Sequence, residues 1–339
     1  MTPTEVPDKI FPITTFISDL PTNLILQPLS PFSENDPTRG RLVIVGDVHG
    51  MRQSLEALLD KVGFDKSKGD HLILVGDLIS KGPDSPGVID LAMKLGASAV
   101  RGNHENAVLN AAAEMNVKGD ILPHSGDLTG STAVPENAQV NLTENTVSDS
   151  EAPDKCASAA TGNGMRASSA TQSTALAISK CHLDWLAALP CILRIKLPHN
   201  LVSSLGDTLI VVHAGLVPGI PLEEQNPHAI MHMRSFVPPT GDEDGFIPAE
   251  ISGEEGWVVE WDRWQDRLPS KTTVVFGHDA KRRLQVGRYT IGLDSACLYG
   301  HLLSALVIAA PDGQIEHQVV QVECTDAPVV PTGDKPVVG

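Results

Sequence analysis

The sequence has no apolar run near the ~18–20 residues that a membrane-spanning helix needs. Its start, MTPTEVPDKIFPITTF, has no basic segment leading into an apolar one. No secretory signal is read there, and a cytoplasmic location is expected. Cysteine is scarce, with five residues in the chain: Cys156, Cys181, Cys191, Cys297 and Cys324. This scattered, odd-numbered set fits neither a disulfide framework nor CxxC zinc spacing, and it predicts a reducing compartment. GxGxxG spacing is absent, so no dinucleotide site is read. Basic residues are few: Lys+Arg is 25 against 42 Asp+Glu, a net charge of −17. Such a chain repels phosphate backbones at long range, which excludes general nucleic-acid binding. A polyanionic substrate then needs positive charge made locally, most simply by metal ions. What the chain does have is a 41% apolar content, enough for a sizeable core.

Residues 1–39 are rich in Pro, Thr and Ser without periodicity and read as an arm, with Ile10, Phe11, Phe16 and Ile17 as its ordering residues. Leu42–Val45 and Leu72–Val75 are short apolar runs, the signal of buried strands. Between them Met51, Leu55, Leu58, Leu59 and Val62 recur at helical spacing. A helix through Val88–Leu95 and a strand at Ala97–Val100 continue the alternation. The pattern predicts an α/β fold from βαβ units with a largely parallel sheet. From 116 to 179 the composition turns to Ser, Thr, Ala, Asn and Gly, with no Phe, Trp or Tyr. That stretch cannot bury enough apolar surface to order itself, so an insertion is expected there, with room for protein partners. Strands are expected again at Cys191–Ile195, Leu209–Val212, Thr273–Phe276, Tyr289–Leu293, Leu302–Ile308 and His317–Val322. Their close spacing predicts a second sheet of antiparallel strands. The expected organisation is one domain over 40–324, interrupted at 116–179, with a flexible tail at 325–339.

Five polar clusters follow apolar strands: Gly46-Asp47-Val48-His49-Gly50, Gly76-Asp77-Leu78, Gly102-Asn103-His104-Glu105, His213-Ala214-Gly215 and Gly277-His278-Asp279. In open α/β sheets ligands bind at the carboxyl ends of strands. One Gly-Asp after a strand is ordinarily a turn, and one histidine is ordinarily a hydrogen-bonded or surface residue. The inference rests on five such clusters in order. Brought together, their oxygens and imidazoles suit two divalent transition ions (Mn, Zn, Fe or Co) rather than Mg or Ca.

The motifs GDVHG, GDLISKGPDS, VRGNHE, HAGL and FGHD resemble the calcineurin-like metallophosphoesterase signature of the phosphoprotein-phosphatase superfamily. HAGLVPG, Met233-Arg234-Ser235 and LDSACLYGHLLSALVI are most similar to its diadenosine-tetraphosphatase-like branch. The resemblance covers Arg41–Ile308 apart from the insertion. It implies two β-sheets flanked by helices, with the site at strand carboxyl ends. It implies that Asp47 and His49 hold one metal, that Asp77 bridges two, and that Asn103, His213 and His278 complete the set. A metal-activated water would attack phosphorus in line, and His104 would be the general acid. Arg234, with Lys81 and Arg101, would contact substrate phosphate. Ser80, Glu105 and Asp279 would support the ligands.

Two departures shape the substrate expectation. Phosphoprotein phosphatases read GDxVDRG where this chain reads Gly76-Asp77-Leu78-Ile79-Ser80-Lys81-Gly82. Ser80 brings no charge to orient the acid histidine, and Lys81 is a point charge where an arginine forks one phosphate. A phosphoanhydride leaves as phosphate and needs little protonation. The expected activity is therefore hydrolysis of inorganic polyphosphate or dinucleoside polyphosphates. The alternatives are a Ser/Thr protein phosphatase, an RNA 5′-end or cap phosphohydrolase, and an inactive metal-binding scaffold. Trp257, Trp261 and Trp264 have helical spacing and read as core.

Overall fold

This computed structural model describes residues 11–26, 40–118, 168–237 and 245–330. In chain order the elements begin with β1 (Ile17–Asp19), β2 (Leu42–Val45), α1 (Arg52–Lys61), β3 (His71–Leu74), α2 (Ser85–Leu95), β4 (Ser98–Ala99) and α3 (Asn103–Lys118). Next come α4 (Ser169–Ala177), α5 (Lys180–Ala187), β5 (Ile192–Lys196), β6 (Val202–Ser203), β7 (Thr208–Val212), α6 (Pro227–His232) and β8 (Ser235–Val237). The chain continues through β9 (Ile247–Ala249), α7 (Val258–Asp266), β10 (Thr272–Phe276), β11 (Gln285–Val286), β12 (Thr290–Gly292), β13 (Leu302–Ala309) and β14 (Gln314–Glu323). No helix among the described residues is long and apolar enough to cross a membrane.

Two six-stranded sheets form a sandwich flanked by helices, as the sequence predicts. One has the order β4-β3-β2-β13-β14-β6 and the other β1-β5-β7-β10-β12-β11. Side chains alternate along each strand with a period of two. Leu42, Ile44, Ile73, Val75, Leu306 and Ile308 face the space between the sheets, where they meet Leu209, Val211 and Val275. Their neighbours Val43, Val45, Leu72, Leu74, Ala305 and Val307 face outward onto a layer with Leu55, Leu58, Val88, Val108 and Leu186 of the helices. On the far side Ile210, Val212, Val274 and Phe276 pack with Trp257 and Trp261. The Trp257 ring meets Phe276 edge-on at 4.9 Å, so this tryptophan is core as read.

The helices start where their side chains satisfy free amides. Asp84 accepts from Gly87 N–H at the start of α2, and Gly96 ends that helix in the left-handed conformation. Ser179 and His182 form a reciprocal cap on α5.

Several expectations are corrected. A second sheet does form from later strands, β5, β7, β10, β11 and β12 with β1, but it is mixed rather than antiparallel and does not take in β13 and β14. β13 pairs antiparallel with β2, and β14 with β13, so both join the first sheet. β7, β10 and β12 are mutually parallel in the other. A crossover of this range leaves no trace in local periodicity. The arm is also tied down: β1 pairs parallel with β5, and Phe11 packs on the outer core, while Ile10 lies outside the described residues. At the end of the 116–179 segment, Ser169–Ala177 is helical, with Thr171, Thr174 and Ala175 buried, and the stretch 119–167 lies outside the described residues.

The tail is held at its start. Asp326 accepts from Ser54 N–H (2.8 Å), from Gln53 N–H (3.4 Å) and from Ser54 Oγ (2.6 Å), capping α1 from a distant part of the chain. Asp326→Ala is expected to lower the unfolding free energy by about 0.5–2 kcal/mol, read from denaturant melts with an unchanged slope. Cys297 and Cys324 form a disulfide with Cα atoms 5.5 Å apart, because the β13–β14 ladder brings Leu302 opposite Glu323. The cysteines therefore no longer argue for a reducing compartment. Cys181 and Cys191 are free, and Cys156 lies outside the described residues.

Candidate metal centre

The predicted residues converge from both sheets. Asp47 and His49 follow β2, Asp77 follows β3, Asn103 and His104 open α3 after β4, His213 follows β7 and His278 follows β10. Backbone hydrogen bonds fasten these loops to one another. Val48 and His49 N–H donate to the Asp77 carbonyl (3.1 and 2.8 Å), and Gly277 N–H donates to the His213 carbonyl (2.8 Å). His278 N–H donates to both oxygens of the Asp47 carboxylate at 3.1 Å. Asp77 is shared by two groups whose ligand atoms lie within 4.8 Å of one another: His49, Asp77 and His104, and Asp77, His213 and His278.

Ring orientation shows which nitrogen each histidine presents. His49 Nδ1 meets the Ile79 carbonyl (3.3 Å), His213 Nδ1 the Val75 carbonyl (3.0 Å), and His278 Nε2 the His232 carbonyl (3.0 Å). A carbonyl only accepts, so each of these nitrogens carries the proton. The opposite nitrogens, His49 Nε2, His213 Nε2 and His278 Nδ1, then turn lone pairs inward. A backbone acceptor that fixes the tautomer of a ligating histidine is the usual support of a metal site. His213 Nε2 lies 3.3 Å from Asp77 Oδ1, and His49 Nε2 lies 3.6 Å from Asp77 Oδ2. Asn103 Oδ1 is 3.0 Å from His213 Nε2. Lone pairs surround this amide: the Asp77 carboxylate, His213 Nε2 and His278 Nδ1. A cation satisfies such a convergence with the amide oxygen facing in. Without one, the amide turned over would offer its NH₂ to the same groups.

The charge balance agrees with that fit. Asp47, Asp77, Glu105 and Asp294 are all buried around this point. Burial pushes the Glu105 carboxyl up to about 7 and Asp294 up to about 6, and raises Asp47 well above the carboxylate range. Burial also lowers His49 to about 3 and His278 well below its usual value, which keeps both rings neutral and ligand-ready. Against its own burial, the Asp77 carboxylate raises His213 to about 10, so in the absence of a cation Nε2 also holds a proton, which a bound metal would displace. The protein thus gathers four buried carboxyl groups around one point, and mixed O/N donors suit divalent transition ions.

The backbone is strained here. Seven non-glycine residues have positive φ among the described residues, and His49, Asp77, Lys81, His278 and Ala296 line the cleft. Gly277 has a packing reason beside its ligand: a Cβ there would sit 1.8 Å from Asp47 Oδ1.

Most of the other predicted residues fall in place. Lys81 and Arg234 line the same cleft, about 80 Å³ in volume, with Asp47, His49, Asp77, Asn103, His104 and His278. Arg234 is held at the rim by the carbonyls of Glu250 (3.1 Å) and His278 (3.3 Å). Glu105 accepts from the N–H groups of Asp77 and Leu78 (both 2.8 Å), Ile79 (3.3 Å) and Gly102 (2.9 Å), so it shapes the loop that presents Asp77. His104 N–H donates to Asp77 Oδ1 at 3.0 Å, and His104 Nε2 lies 3.9 Å from Asp77 Oδ2. Ser80 Oγ and His104 Nδ1 are both buried, and neither has a hydrogen-bond partner among the described residues. Asp279 turns away to pair with Arg282 at 2.7 Å rather than touching a ligand.

Arg101 is a correction. It is fully buried, donates to the carbonyls of Phe11 (3.2 Å) and Ala187 (2.6 Å), and lies over the Phe11 ring. Adjacency to Gly102 suggested a phosphate contact, but side chains at successive positions of an extended chain point to opposite faces. Asp294 is not among the site residues expected from the sequence, and it is buried close enough to Asp47 to affect its charge and lines the cleft. The LDSACLYG motif was the signal for it.

The calcineurin-like phosphoesterase family matches residues 40–141. The chain carries a calcineurin-like metallophosphoesterase domain. The chain is 29% identical over 293 residues to a zinc-dependent endopolyphosphatase of Saccharomyces cerevisiae, covering 84% of this chain and 81% of that one. It is 26% identical over 335 residues to a symmetrical bis(5′-nucleosyl)-tetraphosphatase of Dechloromonas aromatica, covering 85% and 97%. The crystal structure of a candidate diadenosine tetraphosphatase superposes with a TM-score of 0.59 at 29% identity, covering 91% of this chain and 98% of that one. The matched stretch holds Asp47, His49, Asp77, Asn103 and His104, while His213 and His278 lie beyond it.

Proposed function

We propose that this chain is a metal-dependent phosphohydrolase that cleaves phosphoanhydride bonds in inorganic polyphosphate or dinucleoside polyphosphates. The observation that carries the reading is the pair of ligand groups sharing Asp77, set in one cleft with Lys81 and Arg234. Asp47, His49, Asp77, Asn103, His213 and His278 would hold two divalent ions. Bound there, the ions would activate water and offset charge on the phosphoryl oxygens. Lys81 and Arg234 supply separate cationic contacts, which suits a run of phosphates better than a single one. Names of the relatives support this choice over phosphoserine. His104 donates a proton to the leaving oxygen. Burial lowers its pKa, which makes it a ready proton donor when charged and fits a phosphate leaving group. A cytoplasmic location goes with this reading and is tested by the Cys297–Cys324 disulfide, which a reducing compartment would open.

The test is hydrolysis of polyphosphate by protein reloaded in turn with Mn, Co, Zn and Mg, with products resolved by length. Chelator-sensitive shortening is expected. Intact polyphosphate and intact diadenosine tetraphosphate with every metal would reject the reading. His104→Asn is expected to lower kcat by about 10²–10⁴ while elemental analysis shows the metal retained. Metal loss in that variant would make His104 a ligand instead, since its ring shares a group with His49 and Asp77.

A further inference from the structure

A second cavity of about 330 Å³ lies beside the metal centre, between α6 and the β8–β9 ribbon. We infer that it seats the nucleobase of a nucleoside polyphosphate. The inference narrows the phosphoanhydride reading to one of its two substrate classes and rests on it.

Four observations carry it. The cavity is lined by flat rings: His228 and His232 stack at 4.1 Å with 14° between their planes, and Phe246 faces the same space. Phe246 is 37% exposed and is backed by Phe236, with ring centroids 4.8 Å apart. An exposed aromatic ring braced from behind is a stacking platform. Ile220, 40% exposed, lines the cavity too, so two of the eight large apolar side chains exposed among the described residues belong to it. The volume is that of a small-molecule site. A nucleobase is flat and apolar on its faces and polar at its edges, and Asn226 and Glu224 supply polar groups in the same lining.

The fourth observation is continuity with the phosphate cleft. The His232 carbonyl, on the cavity side, accepts from His278 Nε2 at 3.0 Å. Arg234, two residues on, lines the metal cleft and donates to the carbonyl of Glu250, which lines the cavity. A base in the cavity therefore places its attached phosphates beside Arg234 and then the metal ligands. Inorganic polyphosphate has no group for this cavity, so nucleoside-bearing substrates gain binding that the inorganic chain lacks.

The test uses full-length, Mn-loaded protein and two ligands whose bridging carbon resists hydrolysis: α,β-methylene-ADP and methylenediphosphonate. Calorimetry is expected to show the nucleotide analogue binding about ten-fold tighter or more. Phe246→Ala is expected to erase that gap and leave methylenediphosphonate unchanged, while Phe246→Trp keeps it. Equal affinities in the parent protein, or a Phe246→Ala loss shared by both ligands, would overturn the assignment. Neither ligand is cleaved, so this result stands whether or not phosphoanhydride hydrolysis is observed. In turnover, Phe246→Ala should raise KM for diadenosine tetraphosphate about ten-fold and leave kcat/KM for inorganic tetraphosphate unchanged.

Discussion

Asp77→Asn is expected to lower kcat/KM by more than about a hundred-fold and to strip metal from the protein. Even residues that only orient metal ligands cost roughly 10–100-fold when removed, and Asp77 sits in both ligand groups. Its carboxylate lies 3.3 Å from His213 Nε2 and 3.6 Å from His49 Nε2, and it accepts from His104 N–H at the start of α3. Asparagine keeps the shape and tolerates the φ of +50° found here, so the fold should survive. The effect should be one of charge and ligation. Elemental analysis and turnover measured on the same sample check it. A variant that kept its metal and a tenth of its activity would show that Asp77 is not the centre of the site.

Gly277→Ala should do comparable damage from a position that ligates nothing. The added methyl group would meet Asp47 Oδ1 at 1.8 Å and Val75 Cγ2 at 2.8 Å. These neighbours are a buried ligand and a core side chain, so neither can yield without moving the site or the inter-sheet core. Overpacking of this kind costs about 1–3 kcal/mol. Because the clash falls on Asp47, whose carboxylate also holds the His278 amide, activity should fall further than stability. The expected result is loss of about a hundred-fold or more in kcat/KM with a folded circular dichroism spectrum. Activity near the parent level, with an unchanged melt, would mean that Asp47 can move freely and is not needed where it lies.

The ligand set was readable because it is written locally. Each ligand follows a short apolar strand, all but His213 stand next to a glycine, and the structure gives both regularities a cause. Strand ends open onto the cleft, and glycine gives way to a ligand, as Gly277 does for Asp47. The nine strands expected from apolar runs lie within about one to three residues of their places, while the short β1, β6, β8, β9 and β11 carry no such run and were not read. What failed was non-local. Nothing near Leu302–Ala309 announces that this strand will lie beside β2. Arg101 looked functional by adjacency and is structural by burial. Asp326 reads as part of a loose tail until Ser54, far away in sequence, turns out to need an acceptor. The Cys297–Cys324 disulfide was hidden for the same reason, since its two residues meet only through strand register. The cavity between α6 and β9 was also invisible, because its rings come from two separate segments.

The placement of β2 has a consequence for how the chain is made. It lies between β3 and β13 and bears the first two site residues just past its end. On a ribosome, β2 and β3 emerge early, yet the strand that covers the other edge of β2 is more than 250 residues behind. Until it arrives, that edge offers an unpaired backbone ladder to any passing strand. The Asp47–His278 contact spans 231 residues of sequence. The metal centre can therefore close only after His278 has been made, and the nascent chain must pass through a long interval with an open edge and no site.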